Sequence, residues 1–264
     1  MPEENESIPR RIQKIDLKAQ VEEELIRYIK QMKLGISTKL PREEELSKML
    51  GVSRITLRSV LDDLSSKGMI FRKHGKGTFV NREYFEVKAS FNPVMHFSDM
   101  ITNSGYTPKI ELLDYKIIKA SEDTAKQLGI KKQDKVLQCD KIFYADKQIC
   151  AVTRDFISLS YLGETPVENL EKNIDSIFYF MYKVTGKKLV LDKVELNAVY
   201  SKEVKLLNEI LERQKIPPRA FLCLKGVNYD EDERPAVETW EYVDTTILKY
   251  TQFRKRILHY ENIT

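Results

Sequence analysis

The sequence predicts an α+β protein in two parts: an N-terminal winged helix-turn-helix, then a larger α+β domain around a largely antiparallel sheet. Three observations carry that reading. Helical spacing runs through residues 18–68 and gives way to a glycine-containing basic hairpin at 69–80. Beyond residue 82, runs rich in Val, Ile, Phe and Tyr alternate with short capped helices. The positive charge is confined to the first part, where residues 1–82 hold 17 Lys and Arg against 12 Asp and Glu, while the remainder holds 27 against 28. A basic segment beside a neutral body points to a polyanion met by the N-terminal part alone.

At 264 residues, 42% hydrophobic and 32% charged, the chain can bury one or two cores, which excludes a disordered protein. No run approaches the ~18 uninterrupted apolar residues of a membrane span. The polar, acidic start MPEENESIPRR has no apolar signal core. Cys139, Cys150 and Cys223 are odd in number and lack CxxC spacing, and His74, His96 and His259 are dispersed. Neither a disulfide framework nor a metal site is expected from them. The expectation is a cytoplasmic protein with no cofactor and no membrane partner.

The elements follow in order. Residues 18–33 place Val21, Leu25, Ile29 and Met32 on one helical stripe. Pro41 opens a second helix whose first turn holds Glu43, Glu44 and Glu45, favourable beside the positive end of the dipole. Leu46, Met49 and Leu50 are expected inward, and Gly51 ends it. Ser53 is an N-cap for a third helix, with Ile55 or Thr56, Val60, Leu61 and Leu64 inward and Gly68 as its stop. Two β-prone runs, 69–72 and 78–80, then flank a basic tip containing Gly75 and Gly77.

The third helix is the expected sequence reader. Arg54 and Arg58 lie one turn apart on one face. Arginines at the start of such a helix reach guanine O6 and N7 with two hydrogen bonds. Ser53, Thr56 and Ser59 suit phosphates or base edges. In the hairpin, Gly75 and Gly77 permit close approach to a backbone, while Lys73 and Lys76 supply charge for phosphates or a minor groove. A plain solvated helix face, with Asp62 as partner, would also carry two arginines; the turn before them and the hairpin after them favour DNA.

The stretch KLPREEELSKMLGVSRITLRSVLDDLSSKGMIFRKHGKGTFV, residues 39–80, resembles the DNA-binding domain of the GntR family of bacterial transcription regulators. The likeness runs through LP.E.EL, LGVSR.TLR..L..L...G and GKGTFV. It implies base contacts by Arg54 and Arg58 and minor-groove approach by Gly77. It also marks a departure. Relatives usually carry arginine where Glu44 stands, and Arg42, two residues earlier, is the candidate substitute, so the operator preference is expected to differ.

Residues 83–92 read as a linker between a first domain at 1–82 and a second at 93–264. Strand-like runs occur at 110–118, 136–144, 148–157, 189–199, 220–229 and 235–243. Ser121 is expected to cap a helix at 122–128 closed by Gly129, Asp175 one at 176–185 closed by Gly186, and Ser201 one at 202–212. A unit of capped helix, strand, acidic turn and strand recurs. Aligning Asp146 with Asp232 sets Thr153 against Thr239, Asp155 against Glu241 and Phe156 against Tyr242. Two similar halves are then expected to share one sheet with a ligand cleft.

This second part resembles the UTRA effector domain of the HutC branch of the same family. The likeness rests on the spacing of Phe97, Met100 and Gly105, on the run from Ala120 to Val136, and on YADKQI, SIFYFMYKVTG and DEDERPAVETWEYV. It implies a chorismate-lyase-like fold and a small metabolite as effector. Phosphate-binding relatives show Arg-x-Arg before the AD turn, where this chain has Lys141 and Phe143, which argues against a phosphosugar and leaves a sugar or related metabolite. Lys141, Thr153, Arg154, Glu238 and Tyr242 are the candidate effector contacts; Trp240 is expected on the face of Glu238 and Tyr242.

No GxSxG, HExxH, P-loop or GxGxxG stands in a catalytic setting, so no enzyme is expected. A DNA-tethered lyase and a constitutive architectural DNA-binder are the alternatives to a metabolite-responsive repressor. Since one recognition helix reads only a few base pairs, the repressor is expected to bind double-stranded operator DNA as a homodimer.

Overall fold

The computed structural model describes residues 17–32, 38–89, 95–163 and 176–253. They divide into two compact units, residues 17–87 with 252 and 253, and Lys88–Thr251. The division lies beyond residue 82 because residues 82–85 fold as a helical turn of the first unit. The second unit closes at Thr251, and residues 90–92 of the expected linker lie outside the described residues.

In the first unit, α1 (Leu17–Gln31) turns Val21, Leu25 and Ile29 into the core. Behind Pro41 comes α2 (Glu43–Leu50), where the Glu45 carboxylate accepts the Arg42 backbone N–H at 3.1 Å and Gly51 closes the helix at φ 65°. Leu46 is buried, but Met49 is 60% exposed, since so short a helix turns only a narrow stripe inward. Helix α3 (Arg54–Ser66) is capped by Ser53, whose Oγ accepts the Thr56 N–H at 3.1 Å. It buries Leu57, Val60, Leu61 and Leu64. Of the alternatives Ile55 and Thr56, Thr56 is the half-buried one and Ile55 is 84% exposed, because it falls off that three-four spacing. Strands β1 (Ile70–Lys73) and β2 (Gly77–Val80) form the antiparallel hairpin, extended by a bridge from Lys39 to Phe79. After α4 (Arg82–Phe85), the unit is completed by Phe253, which packs on Tyr84 and lies against Gly68.

The second unit runs α5 (Phe97–Asn103), β3 (Pro108–Lys119), α6 (Glu122–Leu128), β4 (Lys135–Ala145), β5 (Gln148–Ser158), α7 (Leu159–Leu162), α8 (Ile177–Thr185), β6 (Leu189–Tyr200), α9 (Lys205–Arg213), β7 (Ala220–Asp230) and β8 (Pro235–Val243). The caps mostly fall where the sequence sets them. Ser121 Oγ accepts the Thr124 N–H at 3.1 Å, and Gly129 ends α6 at φ 63°. Helix α8 is capped by Ser176, one residue later than expected; Asp175 lies outside the described residues. Ser201 does not cap α9. It sits in a short 3-10 turn and accepts the Arg219 N–H at 3.1 Å, while extended Val204 delays the helix to Lys205.

The six long strands pair in the order β3-β4-β5-β8-β7-β6, every neighbour antiparallel. Two β-α-β-β halves therefore meet at β5 and β8. Arg154 lies opposite Trp240, Thr153 opposite Glu241 and Asp155 opposite Thr239. A two-fold about the Arg154–Trp240 pair relates Thr153 to Thr239 and Asp155 to Glu241, the equivalences given by aligning Asp146 with Asp232. Helices cover both faces of the sheet. On one, Leu207, Ile210 and Leu211 of α9 pack with Ile142, Val152 and Tyr242. On the other, Met100 and Ile101 of α5 meet Phe143 and Val243, and Phe180 and Met181 of α8 meet Leu137 and Val237. Each such buried side chain contributes about 1.5–3 kcal/mol of apolar transfer free energy.

Candidate functional site

The first unit offers a reading face. The cap fixes the start of α3, and Arg54 and Arg58 project from it into solvent. Their partners come from the acidic first turn of α2: Arg54 meets Glu44 at 2.9 Å, and Arg58 meets Glu43 at 2.9 and 3.2 Å. Arg72 of the hairpin reaches Glu43 at 3.4 Å and Asp62 at 2.5 Å. Exposed pairs of this kind are worth about 0–1 kcal/mol, so a phosphate or guanine edge can replace the carboxylates. Arg42 is exposed just before α2 and makes no side-chain ion pair among the described residues. The hydroxyls of Ser53 and Thr56 bond to each other at 2.9 Å inside the cap. Ile55 stands out between Arg54 and Thr56 as an apolar group suited to a thymine methyl.

In the hairpin, Phe71 and Phe79 stack at 5.8 Å and Lys73 Nζ lies 5.1 Å from both ring centroids. That holds the lysine on the hairpin surface by cation–π attraction. Lys76 is exposed at the tip between Gly75 (φ 69°) and Gly77 (φ 110°), conformations that suit residues without a Cβ.

The second unit holds an open-mouthed cavity of about 80 Å³ under α5 and the start of α8. Its floor is the sheet: Lys141, Thr153, Asp155, Asn228, Thr239 and Glu241. Apolar walls include Phe97, Phe143 and Phe178. Lys141 and Asp155, both buried, pair at 3.2 Å. Burial alone would lower the Lys141 pKa, but Asp155 outweighs it and holds the ammonium charged above its ordinary value. Burial, reinforced by Asp155 and Asp192 and opposed by Lys141, pushes the Glu241 carboxyl up to about 8. The Thr153 hydroxyl, in a residue only 3% exposed, has no hydrogen-bond partner among the described residues.

Of the five sequence-predicted effector residues, the sheet brings Lys141 and Thr153 to this cavity. Arg154, Glu238 and Tyr242 are corrected to the opposite face. Adjacent residues of a strand point to opposite sides, so Arg154 cannot share a face with Thr153, nor Glu238 and Tyr242 with Thr239 and Glu241. Arg154 instead clamps Asp140 with two 2.7 Å hydrogen bonds. Glu238 accepts the Trp240 Nε1–H at 3.0 Å, and Tyr242 packs among α9 side chains. Trp240 does share their face, under Lys225 Nζ at 4.4 Å. Asp155, Asn228, Thr239 and Glu241 also line the cavity and were not among the candidates, although the internal alignment had already paired Asp155 with Glu241.

A family model described as bacterial regulatory proteins, gntR family, matches residues 17–80, and one for the UTRA domain matches residues 103–246, more than half of the chain. The chain belongs to the gntR family of regulators that carry a UTRA domain. That family is one of bacterial regulatory proteins. This gntR-family chain is 28% identical over 155 residues to the HTH-type transcriptional repressor NagR of Bacillus subtilis, covering 59% of this chain and 63% of NagR. It is 24% identical over 198 residues to the HTH-type transcriptional regulator GgaR of Escherichia coli K12, covering 74% of each. The match thus spans less than two thirds of NagR's length. The fold is that of YydK from Bacillus subtilis, with a TM-score of 0.67 at 18% identity over 90% of this chain and 99% of YydK. Among the described residues, no helix is long and apolar enough to cross a membrane.

Proposed function

We propose that this regulator is a cytoplasmic, homodimeric repressor of the HutC branch, which binds a palindromic operator and responds to a small metabolite held in the cavity beside β5 and β8. The observation that carries the reading is the pair of arginines on α3, exposed and held only by exchangeable carboxylates. Arg54 and Arg58 read guanines, Ile55 meets a thymine methyl, and Arg42 with the Lys76 tip grips phosphates or a minor groove. Replacing the family's usual arginine by Glu44 changes the operator preference, since a carboxylate accepts from cytosine N4 rather than donating to guanine.

Strand β6 supports a second copy as partner. It is a sheet edge with Val190, Leu191, Val194 and Leu196 exposed, a surface that monomeric proteins rarely leave open. Relatives named as repressors, NagR among them, support repression. The effector is a sugar or related metabolite without a phosphate: Lys141 is committed to Asp155, and Phe143 offers no second cation. The test is operator selection from random duplexes, followed by a thermal-shift screen of metabolites and anisotropy titrations with each hit. A single selected palindrome whose affinity changes with a stabilising compound is the expected result; binding without sequence preference would sink the reading.

A further inference from the structure

The cavity floor is close to symmetric. The two-fold about Arg154–Trp240 gives it two hydroxyls, Thr153 and Thr239, and two carboxyls, Asp155 and Glu241. Lys141 breaks that symmetry by pairing with Asp155 at 3.2 Å. Glu241 has no ion pair or hydrogen bond among the described residues. The groups facing it are Asp155 from β5, Asp192 from β6, Lys141 from β4 and the Tyr250 hydroxyl, with His96 elsewhere on the wall. Three carboxyls therefore surround one cation, and that cation is already taken. A phosphate or carboxylate ligand would meet carboxyls and, among the described lining residues, no unpaired lysine or arginine, whereas a cation would meet its missing partner. The unpartnered Thr153 hydroxyl, buried at the floor, asks independently for a ligand hydroxyl. The aromatic walls suit a sugar ring.

Resting on the cavity as the effector site, we propose that the effector is a polyhydroxylated compound with a protonated amine, its ammonium on Glu241 and its hydroxyls on Thr153 and Thr239. The geometry favours an amino sugar or a sugar–amine adduct over a neutral or phosphorylated sugar. The raised Glu241 acidity constant fits an empty cation subsite: near neutrality the carboxyl holds a proton, which an arriving ammonium displaces.

Matched probes test this on the full chain by calorimetry and thermal shift: glucosamine with N-acetylglucosamine, 1-amino-1-deoxyfructose with fructose, and glucosamine 6-phosphate. At least one amine should bind about tenfold or more tighter than its neutral counterpart, the scale of one charge-assisted hydrogen bond. Its heat of binding should depend on the buffer's ionisation enthalpy, reporting a released proton, and Glu241→Gln should remove both the preference and the proton release. A neutral or phosphorylated probe that binds as tightly as its amine, or no binding by either amine, overturns the proposal. Thr153→Trp, which fills the floor, separates the two readings, with Thr239→Leu in its place should that variant fail to fold. If a non-amine binds the wild type and is lost in the filled variant, the cavity remains the effector site and the ammonium assignment alone falls. Binding indifferent to the filled floor removes the site as well.

Discussion

Arg58 shows how little holds the reading residues before DNA arrives. Its contacts with Glu43 are made at the surface, so losing them costs the fold almost nothing. Arg58→Ala should therefore leave the melting temperature unchanged while weakening operator binding by about 1–3 kcal/mol and flattening preference at one base pair. Equal losses on operator and random DNA would reduce the side chain to a phosphate contact. Glu241 makes a pH prediction. Its carboxyl holds its proton to about 8 in the folded chain, against 4.5 ordinarily. The stability it confers is thus full below the ordinary value and lost as pH rises through about 8. Glu241→Gln, which has no proton to lose, should gain in melting temperature relative to wild type as pH climbs through that window. A difference that stays constant with pH would show the carboxyl to be already ionised.

The hairpin and the strands separate what sequence reveals about elements from what it conceals. Lys76, at the hairpin tip, should contribute one phosphate contact, so Lys76→Ala should weaken binding on all sequences and lower the salt slope by about one ion; an unchanged slope would place the tip off the DNA. In α3, Leu57→Ala should cost about 2–5 kcal/mol on thermal unfolding, as a deletion in a closed core. The hairpin and the six long strands were legible because glycine, caps and β-branched runs act locally, and each strand lies within two residues of its expected bounds. The facing of β8 was not. Alternation says that Glu238, Trp240 and Tyr242 share a side, but with helices on both faces of the sheet, β4 and β5 are buried on both sides and neither polarity nor hydrophobicity marks which side holds the cavity. The choice between Ile55 and Thr56 stayed open for the opposite reason: an apolar residue on an exposed face looks like core until its neighbours' spacing is counted.

At the scale of the molecule, the effector should shift operator affinity by a coupling free energy of about 1–3 kcal/mol, measured by anisotropy with and without a stabilising compound. Trp240 lies across the sheet from Thr239 and Glu241, so a ligand on the cavity floor does not touch its ring. An emission change sharing the midpoint of the affinity change would then report movement of β8; a silent tryptophan beside a full affinity shift would exclude β8 from the response. The pairing of the sensing unit's two ends has a further consequence. Ala89 and Tyr250 bridge in parallel, and the Thr251 N–H donates to the Ala89 carbonyl at 3.0 Å, so chain entry and chain exit sit side by side. Because Gln252 and Phe253 rejoin the first unit, the sensor is an insert in the chain of the reader rather than a tail behind it. Such an insert is a cassette: excised at 88 and 251, it can be exchanged for another sensor through one pair of neighbouring joints. A splice at 246, where the family match ends, would instead strand Leu248, which is fully buried, and Tyr250, which lines the cavity, on the wrong side of the cut.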